Sequence, residues 1–323
     1  MLIIEGILLV GTIFAGIPML AWLAAINSIA VIVLAGGVVI SYFKLVSGDW
    51  EQLVDTTVVE VEEVSIPMAD GWNAFARVLR PRGEELGTRP AVIVHHGLNG
   101  NGKKMLGFAV PLAMAGHVVL LPDARAHGES VKANRKARKD DWNIDERSGI
   151  INDATRFVDF CCSLEGVDAN RVAMLGHSMG GLVCLTAGLA DPRVKLVIPV
   201  SPLHSFTGFL EARRAKRPLS EEWFMKHALR FLVDFKKLRL QEETVSSKHA
   251  IAKAGHALAS EKIRLVHCKD DELVLFEDNA EPIARDAGIL PQHALFLEKG
   301  GHSLRGQETI ITTKILSWLS ASL

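Results

Sequence analysis

Cysteine is scarce in this sequence and unpatterned where it occurs. Cys161, Cys162, Cys184 and Cys268 show neither the spacing of a zinc site nor that of a disulfide framework. They read as reduced thiols inside a core, which favours a domain kept on a cytosolic face. The formal net charge of −1 leaves no basic excess, which argues against a nucleic-acid partner. Internal repeats and low-complexity tracts are also missing, so a solenoid or repeat array is excluded.

Charge is missing most conspicuously from the first 46 residues, where Glu5 and Lys44 are the only ionisable acid and base among Ile, Leu, Val, Ala and Gly. One bilayer crossing takes about 20 residues, and Asn27-Ser28 divides this stretch into Ile7 to Ile26 and Ile29 to Val46. Residues 1–50 are therefore expected to form an integral membrane anchor, with a two-helix hairpin as first choice and one long tilted helix as second. Tyr42, the single tyrosine, and Trp50 stand at the exit, where amphipathic rings favour the headgroup region. A cleaved signal peptide fits less well, because no Lys or Arg precedes the apolar run and the run is too long. The plainer alternative is a hairpin buried in a soluble core. Lys44 leans the rest of the chain towards the cytoplasmic side, on the rule that cytoplasmic flanks are positive.

The remaining chain, in a sequence 49% hydrophobic, is long enough for one large core. Thr57 to Ile66 alternates apolar and acidic residues, and Trp72 to Leu79 follows an Ala69-Asp70-Gly71 turn, so the two form a strand pair at a sheet edge. Ala91 to Val94, Val118 to Leu121, Val172 to Leu175, Val194 to Val200, Ile263 to His267 and His293 to Leu297 read as further strands, most of them apolar and buried. Helical stretches lie between most of them: Lys104 to Ala115, Glu146 to Leu164, Leu182 to Ala190 and Phe276 to Ala287, with Arg305 to Leu319 closing the chain. Such alternation predicts a mostly parallel sheet with helices on both faces and its working loops at the carboxyl ends of the strands. The pattern breaks at 203–260, about sixty residues without a strand signal, too long for a bare loop and read as a helical cap. The expected domains are thus the anchor at 1–50, a core made of 51–202 and 261–323, and the cap at 203–260.

The stretch that organises the core is Gly176-His177-Ser178-Met179-Gly180. A strand before it and a helix after it force a sharp turn that exposes Ser178, with glycine two residues to either side where the backbone is crowded. The helix that follows aims its unpaired N–H groups at the same point, and Met179 would supply one of them to an oxyanion. A serine nucleophile needs a base and a carboxylate to orient that base. His302, in Gly300-Gly301-His302-Ser303, and Asp271, in Asp270-Asp271-Glu272-Leu273-Val274, both follow strands. Asp270 is the competing acid, and the spacing to Val274 favours Asp271. His95, His96, Asp123 and His127 could be imagined as a metal cluster, but hydrogen bonding within their own loops accounts for them more simply.

Taken in order, these motifs resemble those of the α/β-hydrolase superfamily, and the chain is similar to its membrane-anchored esterase, lipase and acyl-peptidase branches. The resemblance covers roughly residues 57 to 320. It matches the nucleophile turn at Gly176 to Gly180, the acid turn at Asp271 to Val274 and the histidine loop at Gly300 to Ser303. It also matches His96-Gly97-Leu98, which implies the Leu98 amide as second oxyanion donor beside Met179. The turn Asp123 to Ser130 fits as well, except that Ala126 replaces a glycine. The implied fold is an α/β-hydrolase with a helical cap, and the implied triad is Ser178, His302 and Asp271, needing no cofactor and no metal.

Two basic runs flank the expected rim, Lys132 to Lys139 and the cap stretch Ala212 to Arg239, the latter interleaved with Trp223, Phe224, Phe231 and Phe235. That mixture suits an anionic lipid surface, although a solvated cap covering the pocket explains it equally well. The expectation is a serine hydrolase of carboxylic esters, lipid or acyl-chain esters foremost, working at a membrane surface. A peptidase, acyltransferase or thioesterase with the same triad is the alternative, and a silent membrane scaffold the reading from another class. The oligomeric state stays open.

Overall fold

The computed structural model describes residues 59–82, 87–134, 149–205, 208–209 and 245–323. All belong to one unit of the chain, residues 50–323. The expected anchor at 1–50, cap residues 210–244 and the basic stretch 135–139 lie outside the described residues. Among the described residues no helix is long and apolar enough to cross a membrane.

Among the described residues eight strands form one sheet: β1 (Val59–Pro67), β2 (Asn73–Pro81), β3 (Arg89–His95), β4 (Val118–Pro122), β5 (Val167–His177), β6 (Val194–Val200), β7 (Leu265–Cys268) and β8 (Ala294–Leu297). Their order across the sheet is β1-β2-β4-β3-β5-β6-β7-β8. The β1–β2 and β2–β4 pairs are antiparallel and the rest parallel. The hairpin therefore sits at the edge where its alternating sequence puts it. Glu60, Glu62 and Glu63 stand exposed on β1, and such charges discourage pairing with another chain.

The apolar strands are buried on both faces, as the period of two requires. Ile93, Leu120 and Met174 join one core cluster with Phe157 and Leu182. Their neighbours in sequence, Val92, Val94, Leu121 and Leu175, are equally buried against the opposite layer. Helix α1 (Leu106–Met114) follows a 3₁₀ turn, and α2 (Gly128–Ala133) is short. Helix α3 (Ile150–Ser163) lies along β5, while α4 (Met179–Val183) continues as a π turn over Cys184–Gly188. Within that wider turn, Thr186 Oγ1 donates to the carbonyls of Leu182 and Val183, at 2.8 and 3.0 Å. After β6 come α5 (Ser247–Ala254) and α6 (His256–Lys262), so the described end of the expected cap is helical. Helices α7 (Ala280–Ala287) and α8 (Glu308–Ser322) complete the core, with α8 against α1 and β6.

The turn after β4 shows why its sequence is so particular. Asp123 accepts from the Gly102 amide at 2.6 Å and from the Glu129 amide at 2.7 Å. Ser130 Oγ donates to the Asp123 carbonyl at 2.7 Å and accepts from the Phe75 amide at 2.9 Å, so the turn is sewn to β2. Arg125 is buried and bidentate to Asp153 on α3, at 2.7 and 2.8 Å, and also reaches Asp70 at 2.7 Å. Between them Ala126 takes φ 59°, in the left-handed region that an alanine adopts only at a cost. That strain amounts to about 1–2 kcal/mol, of which a glycine would return part as unfolded-state entropy, about 0.5–1 kcal/mol. Ala126→Gly should therefore raise stability by about 0.5–1 kcal/mol in urea unfolding. A lower midpoint would show that the methyl group packs better than its backbone suffers.

Candidate active site

Strand β5 delivers Ser178 to the carboxyl edge of the sheet, where α4 begins. The residue takes φ 57°, ψ −118°, a non-glycine conformation that costs about 1–3 kcal/mol and persists only when its surroundings dictate it. Those surroundings are close. A Cβ on Gly176 would stand 2.1 Å from the Gly180 carbonyl oxygen, and one on Gly180 would stand 2.5 Å from that of His95. Neither position can carry a side chain. The Ser178 amide donates to the Val200 carbonyl at 2.9 Å, and the Ser178 carbonyl accepts from Gly181 at 2.9 Å. The backbone is thus held on both sides, while the hydroxyl makes no hydrogen bond among the described residues.

Asp271 and His302 come from the turns after β7 and β8, which are neighbours in the sheet. His302 Nδ1 lies 2.8 Å from Asp271 Oδ2. A carboxylate only accepts, so Nδ1 carries the proton and Nε2 is left bare, as a base requires. The other carboxylate oxygen, Oδ1, accepts from the Leu273 and Val274 amides at 2.9 and 2.8 Å. Burial drives the Asp271 carboxyl up, but the His302 bond and the Val274 amide outweigh it and hold the group below its ordinary value. Asp270 does something else. Its exposed carboxylate accepts from the Gly300 and Gly301 amides at 3.2 and 2.8 Å and so pins the loop that carries His302.

The structure brings His302 beside Ser178's neighbour rather than into hydrogen-bond contact with Ser178 itself. The His177 and His302 rings are 4.8 Å apart between centroids, and His177 Nε2 lies 2.8 Å from the His302 carbonyl oxygen. Such serine–histidine contacts are often long before a substrate is bound.

The expected oxyanion donors flank the same turn. Met179 is the first residue of α4, where helix geometry leaves its N–H without an intrahelical acceptor. Leu98 follows Gly97, whose Cβ position would stand 3.2 Å from Ser178 Cβ, so this loop lies directly against the turn that carries Ser178. The Leu98 amide makes no hydrogen bond among the described residues. The loop is shaped by His96, which donates from Nδ1 to the Gly97 carbonyl at 2.7 Å and accepts at Nε2 from the Ala124 amide at 2.9 Å. His127 Nδ1 donates to the Arg125 carbonyl at 2.8 Å. These imidazoles thus serve the loops, and among the described residues no three His, Cys, Asp or Glu side chains are grouped to hold a metal ion.

One neighbour of the acid carries no sequence signal of its own. His267, fully buried, donates from Nε2 to the Val274 carbonyl at 2.8 Å, with that nitrogen 3.5 Å from Asp271 Oδ2. It appears in the sequence merely as the polar end of an apolar strand. Its place four residues before Asp271 is the one clue available.

An eight-stranded, mostly parallel sheet with a strained serine at the central strand-to-helix turn defines the class. The family model for the alpha/beta hydrolase fold matches residues 90–255. The chain belongs to the α/β-hydrolase family. Among curated proteins, Cutinase 2 of Thermobifida cellulosilytica is 30% identical over 146 residues, covering 45% of this chain and 51% of the cutinase. The quorum-quenching protein AidA of Acinetobacter baumannii (strain MDR-ZJ06) is 27% identical over 147 residues, covering 44% and 43%. The chain spans about half the length of these relatives. The acetyl xylan esterase from Paenibacillus sp. R4 superposes with a TM-score of 0.58 at 21% identity, over 83% of this chain and 86% of that one. The 2,6-dihydroxy-pseudo-oxynicotine hydrolase gives 0.59 at 19%, over 81% and 68%. These two likenesses speak for the fold alone.

Proposed function

We propose that this protein is a serine hydrolase of carboxylic esters, with Ser178 as nucleophile, His302 as general base and acid, and Asp271 as the group that orients His302. The observation that carries this reading is the 2.8 Å Asp271–His302 bond beside a serine held at φ 57°. In the first step His302 Nε2 takes the hydroxyl proton as Ser178 Oγ attacks the ester carbonyl. The oxyanion is met by the Leu98 and Met179 amides, and an array of this kind contributes several kcal/mol per reaction, about 3–4 for one donor. The imidazolium then returns the proton to the leaving alkoxide, and water repeats the sequence on the acyl-enzyme. All of this chemistry is supplied by protein groups, with no cofactor.

The names of the cutinase relatives support ester bonds over amide or thioester bonds as the target. The apolar stretch at 1–46 and the basic, aromatic cap sequence support a substrate with an acyl chain, reached at a membrane that the chain is anchored in, with the hydrolase core on the cytoplasmic side. A fluorophosphonate probe tests the reading directly: it should label the wild type covalently and leave Ser178→Ala unlabelled. A well-folded wild type that takes no label would reject it and leave a non-catalytic scaffold as the better description.

A further inference from the structure

One contact in the His302 cluster has no part in the proton transfers above. His177 closes β5 one residue before Ser178, and its Nε2 stands 2.8 Å from the backbone carbonyl of His302. A carbonyl only accepts, so the imidazole donates. The loop bearing His302 is otherwise held from the side of β7, through the Asp270 carboxylate and the Gly300 and Gly301 amides. It also contains Leu304 at φ 58°, a conformation that a leucine does not choose unaided. Among the described residues, the His177 bond is the hydrogen bond that joins this loop to the turn bearing Ser178.

We propose that His177 is a positioning residue whose Nε2–H bond to the His302 carbonyl sets the distance between the base-bearing loop and the nucleophile-bearing turn. The inference rests on the serine-hydrolase reading and names a determinant of its rate. The chemistry favours histidine here. The donor must be long and rigid enough to cross from strand to loop, and it must be uncharged, because a fixed cation 4.8 Å from His302 would oppose the proton that His302 has to accept. Burial, reinforced by His302, pushes the His177 pKa down to about 4, so the ring is neutral at ordinary pH. Glutamine can place an amide N–H near the same point. Leucine cannot donate, and asparagine is too short.

The test uses the full chain with p-nitrophenyl butyrate and a fluorophosphonate as probes. A displacement of about 1 Å costs about a hundredfold in well-aligned chemistry, so His177→Leu should lower kcat by about 10- to 100-fold with KM within about twofold. Labelling of Ser178 should slow by a similar factor, and His177→Gln should recover most of both. Hydrogen exchange of the amides between Gly300 and Gly306 should quicken in His177→Leu and not in His177→Gln. Should the leucine variant fail to fold, His177→Asn replaces it. Wild-type rates in the leucine or asparagine variant, with unchanged loop exchange, would overturn the role of His177 while leaving the hydrolase reading intact. A wild type that never labels would sink the hydrolase reading instead, and the exchange measurement alone would then decide whether His177 tethers the loop.

Discussion

Asp271→Asn is expected to slow ester hydrolysis by about 10⁴-fold, the loss seen when a triad acid is made neutral, with little change in fold. The magnitude follows from where the two carboxylate oxygens point. Oδ1 accepts from two backbone amides, Leu273 and Val274. An asparagine must therefore keep its carbonyl oxygen there and turn its NH₂ group towards His302. That donor can only be met by an unprotonated Nδ1, so the proton moves to Nε2, the nitrogen that the proposed mechanism needs bare. His302 then has no lone pair to take the Ser178 proton. Asp270→Asn tests the neighbouring carboxylate. It keeps one acceptor for the Gly300–Gly301 amides and should cost less than about tenfold, in line with a partly retained, exposed hydrogen bond. Steady-state rates with one p-nitrophenyl ester distinguish the two. Equal losses would mean that the carboxylates share the work, and a larger loss at Asp270 would reverse the assignment.

The same pair illustrates what a sequence discloses. Asp271 is favoured over Asp270 by its distance from Val274, and the physical content of that spacing is the Val274 amide on Oδ1. The strand order needed to bring residues 271 and 302 together is legible because apolar strands alternate with helices, and parallel pairing then leaves few topologies. Glycines at 176 and 180 announce a backbone too close for a Cβ. Other features had no local signature. The His177 bond joins residues 125 apart in sequence, through a backbone carbonyl whose direction no side chain encodes. The helix expected at Leu182 to Ala190 contains a π turn, with the Thr186 hydroxyl bonded back to the Leu182 carbonyl, and composition reveals neither. β5 starts at Val167, five residues before its apolar run, because Asp168 to Arg171 extend the strand through a register shift against β3. Such polar residues carry no period to read.

Acidification is the second large expected effect, and it acts on the fold rather than on the chemistry. His95 ends β3 and His96 follows it, both with almost no solvent exposure. Burial pushes the His95 pKa to about 4 from an ordinary 6.5. Burial, with help from the nearby His127, pushes His96 to about 3. Both imidazoles are neutral in the folded protein, whereas in the unfolded chain each takes a proton near pH 6.5. Between those values the unfolded state holds more protons, so the stabilisation is complete above about pH 6.5 and drains away as pH falls towards 4. Each residue removes up to about 1.4 kcal/mol per pH unit, and the two together approach about 3 kcal/mol per unit. Folded domains of ordinary stability have about 5–15 kcal/mol to lose, so urea midpoints should fall steeply below pH 6.5 and native structure should fail between about pH 4 and 5. His95 offers the cleaner control. Among the described residues its Nε2 has no hydrogen-bond partner, and its ring packs 5.7 Å from that of Phe157, so His95→Phe deletes a titrating group and loses no bond to them at that nitrogen. The variant should show an acid slope shallower by about 1.4 kcal/mol per pH unit. A wild type whose midpoint stays level from pH 7 to 5, or a phenylalanine variant with the wild-type slope, would mean that the buried histidines bind their protons without unfolding the sheet.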